Sequence, residues 1–447
     1  MKRSLSIFLI CFSWISFGQE DLTVFGAIEK ALTNNYQVRL VEGNYQASKL
    51  QNSWGQAGLI PTFSLSLSNS ASLQDNSNNP ATFFPGVLFT DNLTPSLDMN
   101  WTVFNGFGIR INKQRFEQLQ EQTKGNAIVV IESTIYDVIL AYYTTVVQQR
   151  KLEVMEGLLV YSQDKLEYYK IKEEMGISTS IDLLEFENQV LTDSTNLLLQ
   201  QLSVRNSKRN LNLIMAEDVD VDYNLTDSLS ISAPNLTYEE LQQKMIADNQ
   251  NLKNQYMNLE LKELDIKTKR SAMYPIVTLS LGTSPSVGYF RLFGDNGFDQ
   301  STNSWTHRGN ISIKYDLFQG MNRKRNIQIA EIQRDMANIE IDELKLNLSH
   351  QLRGNYELYQ TRTAVENMSF RRVEHARKLW KIGKERYDLG LINVFNLNDI
   401  KLSYEQAVLN YYDRLFELIQ THYDLLRMTG QISQQFKIEE NFDPSND

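Results

Sequence analysis

Residues 93–108 read LTPSLDMNWTVFNGFG, and the fold turns on this stretch. Its first part alternates. Leu97, Met99, Trp101 and Val103 take every second place, with Ser96, Asp98, Asn100 and Thr102 between them. A period of two puts one set on each face of a β-strand. The strand pattern ends near Asn105-Gly106-Phe107-Gly108, and no proline follows until Pro234. Proline removes a backbone donor and breaks helix interiors, so so long a proline-free tract permits very long helices. Within it Ile128, Ile131, Ile135, Val138 and Tyr142 recur at three and four residues, the spacing of one buried helix stripe.

Working outward, the same motif appears three more times. Phe63, Leu65 and Leu67 alternate with serines; Val277, Leu279 and Leu281 alternate with Thr278 and Ser280; Ile311, Ile313 and Tyr315 alternate with Ser312 and Lys314. The spacing predicts strands at about 61–70, 93–104, 275–284 and 308–318. Polar loops rich in Asn, Ser, Gly and Pro, 69–92 and 282–303, join the members of each pair. A second proline-free tract runs from Pro285 to Pro444, with Leu397, Ile400, Tyr404, Ala407, Tyr411, Leu415, Leu418, His422 and Leu425 at heptad-like spacing.

These features are duplicated. Pro61 and Pro275, Phe104 and Phe318, Gly106 and Gly320, Gly176 and Gly390, and Asn35 and Asn249 all stand 214 positions apart. Leu22-Thr23 meets Leu236-Thr237 at the same offset, and Thr237 with Glu240 has the form of a capping box. The chain divides accordingly: a first repeat over 19–216 with long helices at about 107–215, a linker over 217–236, and a second repeat over 237–430 with long helices at about 321–429. A tail, 431–447, follows. The long helix from about Ile109 to Lys172 would span roughly 95 Å at 1.5 Å per residue.

The first residues point to export. Lys2 and Arg3 precede an apolar run, LSIFLICFSWI, too short to cross a bilayer, and Ser16, Phe17 and Gly18 offer a small-residue exit. Residues 1–18 therefore read as a signal peptide. Its removal takes Cys11, the one cysteine, and leaves no thiol for a disulfide or an acyl anchor. A net charge of -10 argues against a nucleic-acid partner. His307, His350, His375 and His422 are scattered without metal or triad spacing, so no catalytic, cofactor or metal site is expected. Glu173-Glu174 reads as a solvated helix face, His422 as a satisfied packing residue, and Arg323-Lys324-Arg325 as a solvated helix start or a contact with lipid headgroups.

Mean hydropathy is -0.38, so a membrane protein of this composition has to be a β-barrel, in which only alternate residues meet lipid. Four strands cannot close a barrel, and an open edge in hydrocarbon costs several kcal/mol per unsatisfied group. The barrel must be shared between copies. Long heptad helices alone would fit a periplasmic coiled-coil adaptor or scaffold protein; the two-faced strands, twice at one offset, turn the reading to a channel wall.

The order of elements, the duplication, the turns Val103 to Gly108 (VFNGFG) and Leu317 to Gly320 (LFQG), and the segments MGISTSID (175–182) and LGLINVFN (389–396) resemble the TolC family of outer-membrane efflux proteins. The resemblance implies a homotrimer with a shared 12-stranded barrel in outer-membrane lipid, a long α-helical barrel in the periplasm of a Gram-negative bacterium, and a periplasmic adaptor and inner-membrane pump as partners. It implies a passive duct for efflux or type I secretion, mainly α in fold class with a membrane β-barrel portion. It places the periplasmic tip and adaptor contact at Gly176, Ile177, Asp182, Gly390, Leu391 and Asn396. It places the entrance gate at Asp399, with Tyr387 bonded to Asp182. Asn396 stands where the family has an acidic residue, and Ile392 where it has a basic one, so fewer polar ties are expected at a closed tip. From the alternation, Phe63, Leu65, Leu67, Leu97, Met99, Trp101, Val277, Leu279, Ile311 and Ile313 face lipid, with Ser66, Asn100, Ser280 and Lys314 toward the lumen.

Overall fold

The computed structural model describes residues 20–177, 179–229, 237–294 and 297–436. The expected signal peptide lies outside the described residues, as do Ser178 of the first tip segment, the linker after Leu229, and the tail after Phe436.

The first repeat runs β1 (Glu20–Leu22), α1 (Val24–Asn34), α2 (Tyr36–Gln51), α3 (Trp54–Ala57), β2 (Thr62–Asp75), β3 (Val87–Asn105), α4 (Gly108–Glu174) and α5 (Ser180–Met215). The short β4 (Tyr223–Leu225) follows. The second repeat runs α6 (Tyr238–Asp248), α7 (Gln250–Ser271), β5 (Ile276–Phe293), β6 (Asp299–Lys314), α8 (Asn322–Asp388), α9 (Val394–Met428) and α10 (Gln431–Gln435). Both long helices, α4 and α8, have 67 residues, roughly 100 Å each at 1.5 Å per residue. The chain forms two compact units, each drawing on both repeats. One comprises the described residues of Met1–Leu40, Ile128–Asn249 and Leu346–Asp447; the other comprises Val41–Ala127 and Gln250–Lys345.

The first unit is helical apart from the parallel pair β1–β4. Its core gathers the predicted stripe Ile131, Ile135, Val138 and Tyr142 of α4 with Leu211 and Met215 of α5, Leu415 and Ile419 of α9, and Ala27, Ile28 and Ala31 of α1. One window of α4 is apolar and long enough to cross a membrane by composition alone. Two thirds of that window is buried inside the fold, which accounts for its hydropathy. The duplicated asparagines have one task. Asn35 separates α1 from α2 and its amide donates to Ile214 O at 2.8 Å; Asn249 separates α6 from α7 and donates to Met428 O at 2.9 Å. Each supplies a donor to carbonyls that a helix end leaves unpaired. Thr237 and Glu240 form the capping box.

The second unit holds a four-stranded antiparallel sheet in the order β2-β3-β5-β6. Its strands reach well into the segments read as loops, leaving connections of only 76–86 and 294–298. Serines, glycines and asparagines there still pair backbone to backbone, as Ser70 does opposite Asn92 and Gly288 opposite Thr302. Ladder pairing requires main-chain groups and not apolar side chains, which is why composition alone placed the strand ends too early. At its other end β6 stops at Lys314, short of the expected Phe318.

Candidate functional site

Residues directly opposite in a ladder share a face, so the register sorts the wall. Phe63 lies opposite Met99, and Leu65 opposite Leu97. Trp101 lies opposite Leu279, which is opposite Ile311; Val277 is opposite Ile313. All ten residues proposed for lipid therefore share one face. Ser66 opposite Ser96, Asn100 opposite Ser280, and Lys314 opposite Ile276 fall on the other. One position departs from the sequence alternation. A β-bulge between Thr102 and Phe104 leaves Val103 without a partner and brings Phe104 opposite Val277, so Phe104 continues the apolar row. Strands β2 and β6 form the two edges and are exposed along their whole length.

The polar face is cross-linked. Ser280 Oγ donates to Asn100 Oδ1 at 2.9 Å, and Ser96 Oγ to Asp98 Oδ2 at 2.7 Å. Arg308 on β6 reaches over β5 to Asp98 on β3 at 2.6 Å. Gly282 lies between them in the ladder, where a Cβ would sit 2.4 Å from Asp98 Oδ1. Only glycine leaves room for that pair to close over the intervening strand.

The tip segments in the helical unit repeat one geometry. Gly176 and Gly390 have φ of +70° and +73°, the left-handed region open to glycine. Ile177 N donates to Lys172 O, and Leu391 N to Arg386 O, both at 2.9 Å, while each glycine N bonds three residues back; these bonds end α4 and α8 as Schellman motifs. Ile177 and Leu391 are left exposed. Thr179 then caps α5 and Asn393 caps α9, accepting from Asp182 N and Asn396 N. Asp182 and Asn396 thus occupy the same position, the third residue of a returning helix.

Tyr387 does not bond Asp182. The Asp182 carboxylate instead accepts from its own cap, Thr179 Oγ1, at 2.8 Å, a local partner reached without ordering a second helix. Tyr387 is buried with Phe186, Trp380, Val394 and Leu397, its ring 6.0 Å from Tyr169 and 6.2 Å from Phe186, and its hydroxyl makes no hydrogen bond to Asp182. Burial raises its pKa, so the phenol stays neutral. Ile392 packs on this cluster, which is what an apolar residue does where the family resemblance has a cation. Asp399 is exposed on α9.

Polar ties exist, but elsewhere than expected. Lys165 pairs with Asp388 at 2.5 Å, and Asn398 donates to Glu185 at 2.7 Å. Deeper in the bundle Lys401 of α9 pairs with Asp193 of α5, and Ser162 of α4 bonds both. Glu405 is buried beside them, and burial raises its pKa while Lys401 opposes the rise. Burial likewise lowers Lys401, against the pull of Asp193. Read as a charged helix sequence these residues look solvated. The signal that marks them is position: Phe186, Asp193 and Gln200 are seven apart, all on the buried stripe of α5.

The family model described as "outer membrane efflux protein" matches the chain twice, over 27–217 and 241–431, the second match beginning and ending 214 residues after the first. Among solved structures, the Campylobacter jejuni CmeC outer membrane channel is similar at TM-score 0.76 and 14% identity, covering 100% of this chain and 99% of that one. The open state of the Neisseria gonorrhoeae MtrE outer membrane channel is similar at TM-score 0.71 and 14% identity, covering 91% and 88%. The outer membrane protein VceC of Vibrio cholerae is similar at TM-score 0.65 and 18% identity, covering 91% and 96%. No curated protein gives a significant sequence match.

Proposed function

The chain belongs to the outer membrane efflux protein family and is an outer-membrane efflux channel, and from that premise we propose that three copies close one 12-stranded barrel and act as a passive duct. The observation that carries this is the open sheet, with one apolar face and two exposed edges, β2 and β6. Such edges are untenable in lipid. Strand directions alternate through β2-β3-β5-β6, so β6 of one copy meets β2 of the next antiparallel, and three copies give a barrel with a lumen. The apolar row from Phe63 to Ile313 then faces lipid, and the Asp98–Arg308 face lines the lumen. Hairpin ends 76–86 and 294–298 lie outside the cell. The turns at Gly176 and Gly390 form the periplasmic tip, with Ile177 and Leu391 presented to an adaptor that links the duct to an inner-membrane pump, and Asp399 narrows the entrance.

The test is the purified mature protein in a planar bilayer, with its mass measured by light scattering. Three chains per particle and a steady conductance are expected. A monomer that conducts nothing would overturn the shared barrel. A tag inserted at Asn78 should be labelled on intact cells; labelling only after the outer membrane is permeabilised would reverse the topology.

A further inference from the structure

The two repeats build one cavity twice, where the apolar wall meets the long helices. The first, about 320 Å³, is lined by Trp54, Leu59, Val103, Phe104, Phe107 and Arg110. The second, about 510 Å³, has Met273, Leu317, Phe318, Met321 and Lys324 at its wall. Leu59 and Met273, Val103 and Leu317, Phe104 and Phe318, Phe107 and Met321, and Arg110 and Lys324 are all 214 positions apart. The backbone repeats as well. Phe107 and Met321 have φ of +68° and +63°, a conformation unfavourable to any residue with a Cβ. Each holds its large apolar side chain more than half exposed, at 53% and 60%.

Each cavity therefore has an apolar cup and one cation free of an ion pair among the described residues; the second is also lined by Arg323, whose charge Asp316 meets. Arg110 and Lys324 have no ion pair among the described residues, whereas nearby Lys113 is held by Glu117 at 2.6 Å and Arg323 by Asp316 at 3.6 Å. Glu331, which also lines the second cavity, is engaged by Arg270 at 2.9 Å. The first cavity is continuous with the apolar wall: Trp101 Nε1 donates to Leu59 O at 2.8 Å, and Phe104 follows Trp101 on that face. An uncompensated cation over an apolar cup, with aromatic rings at its rim, fits a molecule with an anionic head and an apolar tail.

We propose that each cavity binds one anionic glycerophospholipid of the periplasmic leaflet, its phosphate on Arg110 or Lys324 and its upper acyl chain against the apolar cup. The proposal rests on the reading that the apolar sheet face meets lipid. The assembled channel in neutral detergent, titrated with phosphatidylglycerol or with phosphatidylcholine of the same chains and counted by native mass spectrometry, tests it. Phosphatidylglycerol should be retained at two per chain and phosphatidylcholine should not. Arg110→Gln and Lys324→Gln should each weaken one site roughly 5-fold, the equivalent of one basic side chain near a charged headgroup. Equal retention of the two lipids, unchanged retention in the double variant, displacement by inorganic phosphate, or no retained lipid because a second copy fills the cavities would each overturn it. Conductance separates the two readings. A wild-type protein that conducts but retains the two lipids equally sinks the lipid site alone, and a wild-type protein that neither enters bilayers nor conducts sinks the barrel wall first.

Discussion

Lys401 on α9 and Asp193 on α5 form an ion pair whose side chains are only 2% and 5% exposed, and Ser162 on α4 hydrogen-bonds to both. At the positions 214 residues on from Ser162 and Asp193 the second repeat has Ala376 and Ala407, packed with Val373 and Val408. The second repeat thus fills by apolar packing the places that Ser162 and Asp193 hold in the first, and Lys401 reaches Asp193 from the second repeat.

Breaking this pair from one side should be severe. Lys401→Met strands the Asp193 carboxylate and should destabilise the bundle by about 3–5 kcal/mol, because the remaining charge loses its partner and cannot regain water. The double variant Lys401→Met, Asp193→Leu should recover most of that loss. Denaturant unfolding of the assembled protein measures both, and equal losses in the single and double variants would show that the charges are not coupled.

His422 makes stability depend on acid. It is buried against Tyr359 and Tyr423, its Nδ1 has no partner among the described residues, and burial pushes its pKa down to about 4 from 6.5. It packs as the sequence suggested but is not satisfied there. Between those two values the unfolded chain binds the proton and the folded one does not, so stability falls as pH drops from 6.5 to 4, by about 3 kcal/mol at most. His422→Phe should be at least as stable at neutral pH and should lose this share of the slope. Melting curves of both proteins across that window give the comparison.

On the sheet, face should decide cost. Leu279→Arg puts a charge on the apolar row and should cost about 2–4 kcal/mol in a bilayer, against little for Ser280→Arg one residue away. Yield of assembled channel in the outer membrane and its unfolding in lipid report the difference. Equal effects would mean that the apolar row does not face lipid.

At Gly390 nothing lies within 4 Å of where a Cβ would be. Gly390→Trp therefore meets no clash at its Cβ and carries the left-handed backbone penalty, about 1–2 kcal/mol. Assembled channel should persist in the membrane while dye efflux is lost, because the bulky ring blocks the proposed adaptor contact. Loss of the assembly together with efflux would make this glycine structural only.

Asp399→Asn should lower the cation preference of the reconstituted channel and weaken its block by multivalent cations, since three like charges gathered at a constriction attract cations. Reversal potentials under a salt gradient measure the preference, and unchanged values would remove Asp399 from the entrance.

Much of this was written in the sequence in a form that local physics can read. Alternation sorted Phe63, Leu65 and Ile311 from Ser66 and Lys314, because a strand side chain has only two directions to point. The recurrence of Pro61, Asn35, Gly106 and Gly176 at one offset revealed the repeat, because prolines, caps and glycine turns are set by their own backbone. Tertiary structure alone decided what depends on neighbours distant in sequence. It set the bulge that exchanges Val103 for Phe104, since only the β5 partner fixes register. It joined Asp182 to Thr179 and left Tyr387 among aromatic rings, because a cap three residues away is reached at less entropic cost than a partner on another helix. It buried Lys401 with Asp193 and Ser162, because a charged residue in a helix reads as solvated until the helices packed around it are known.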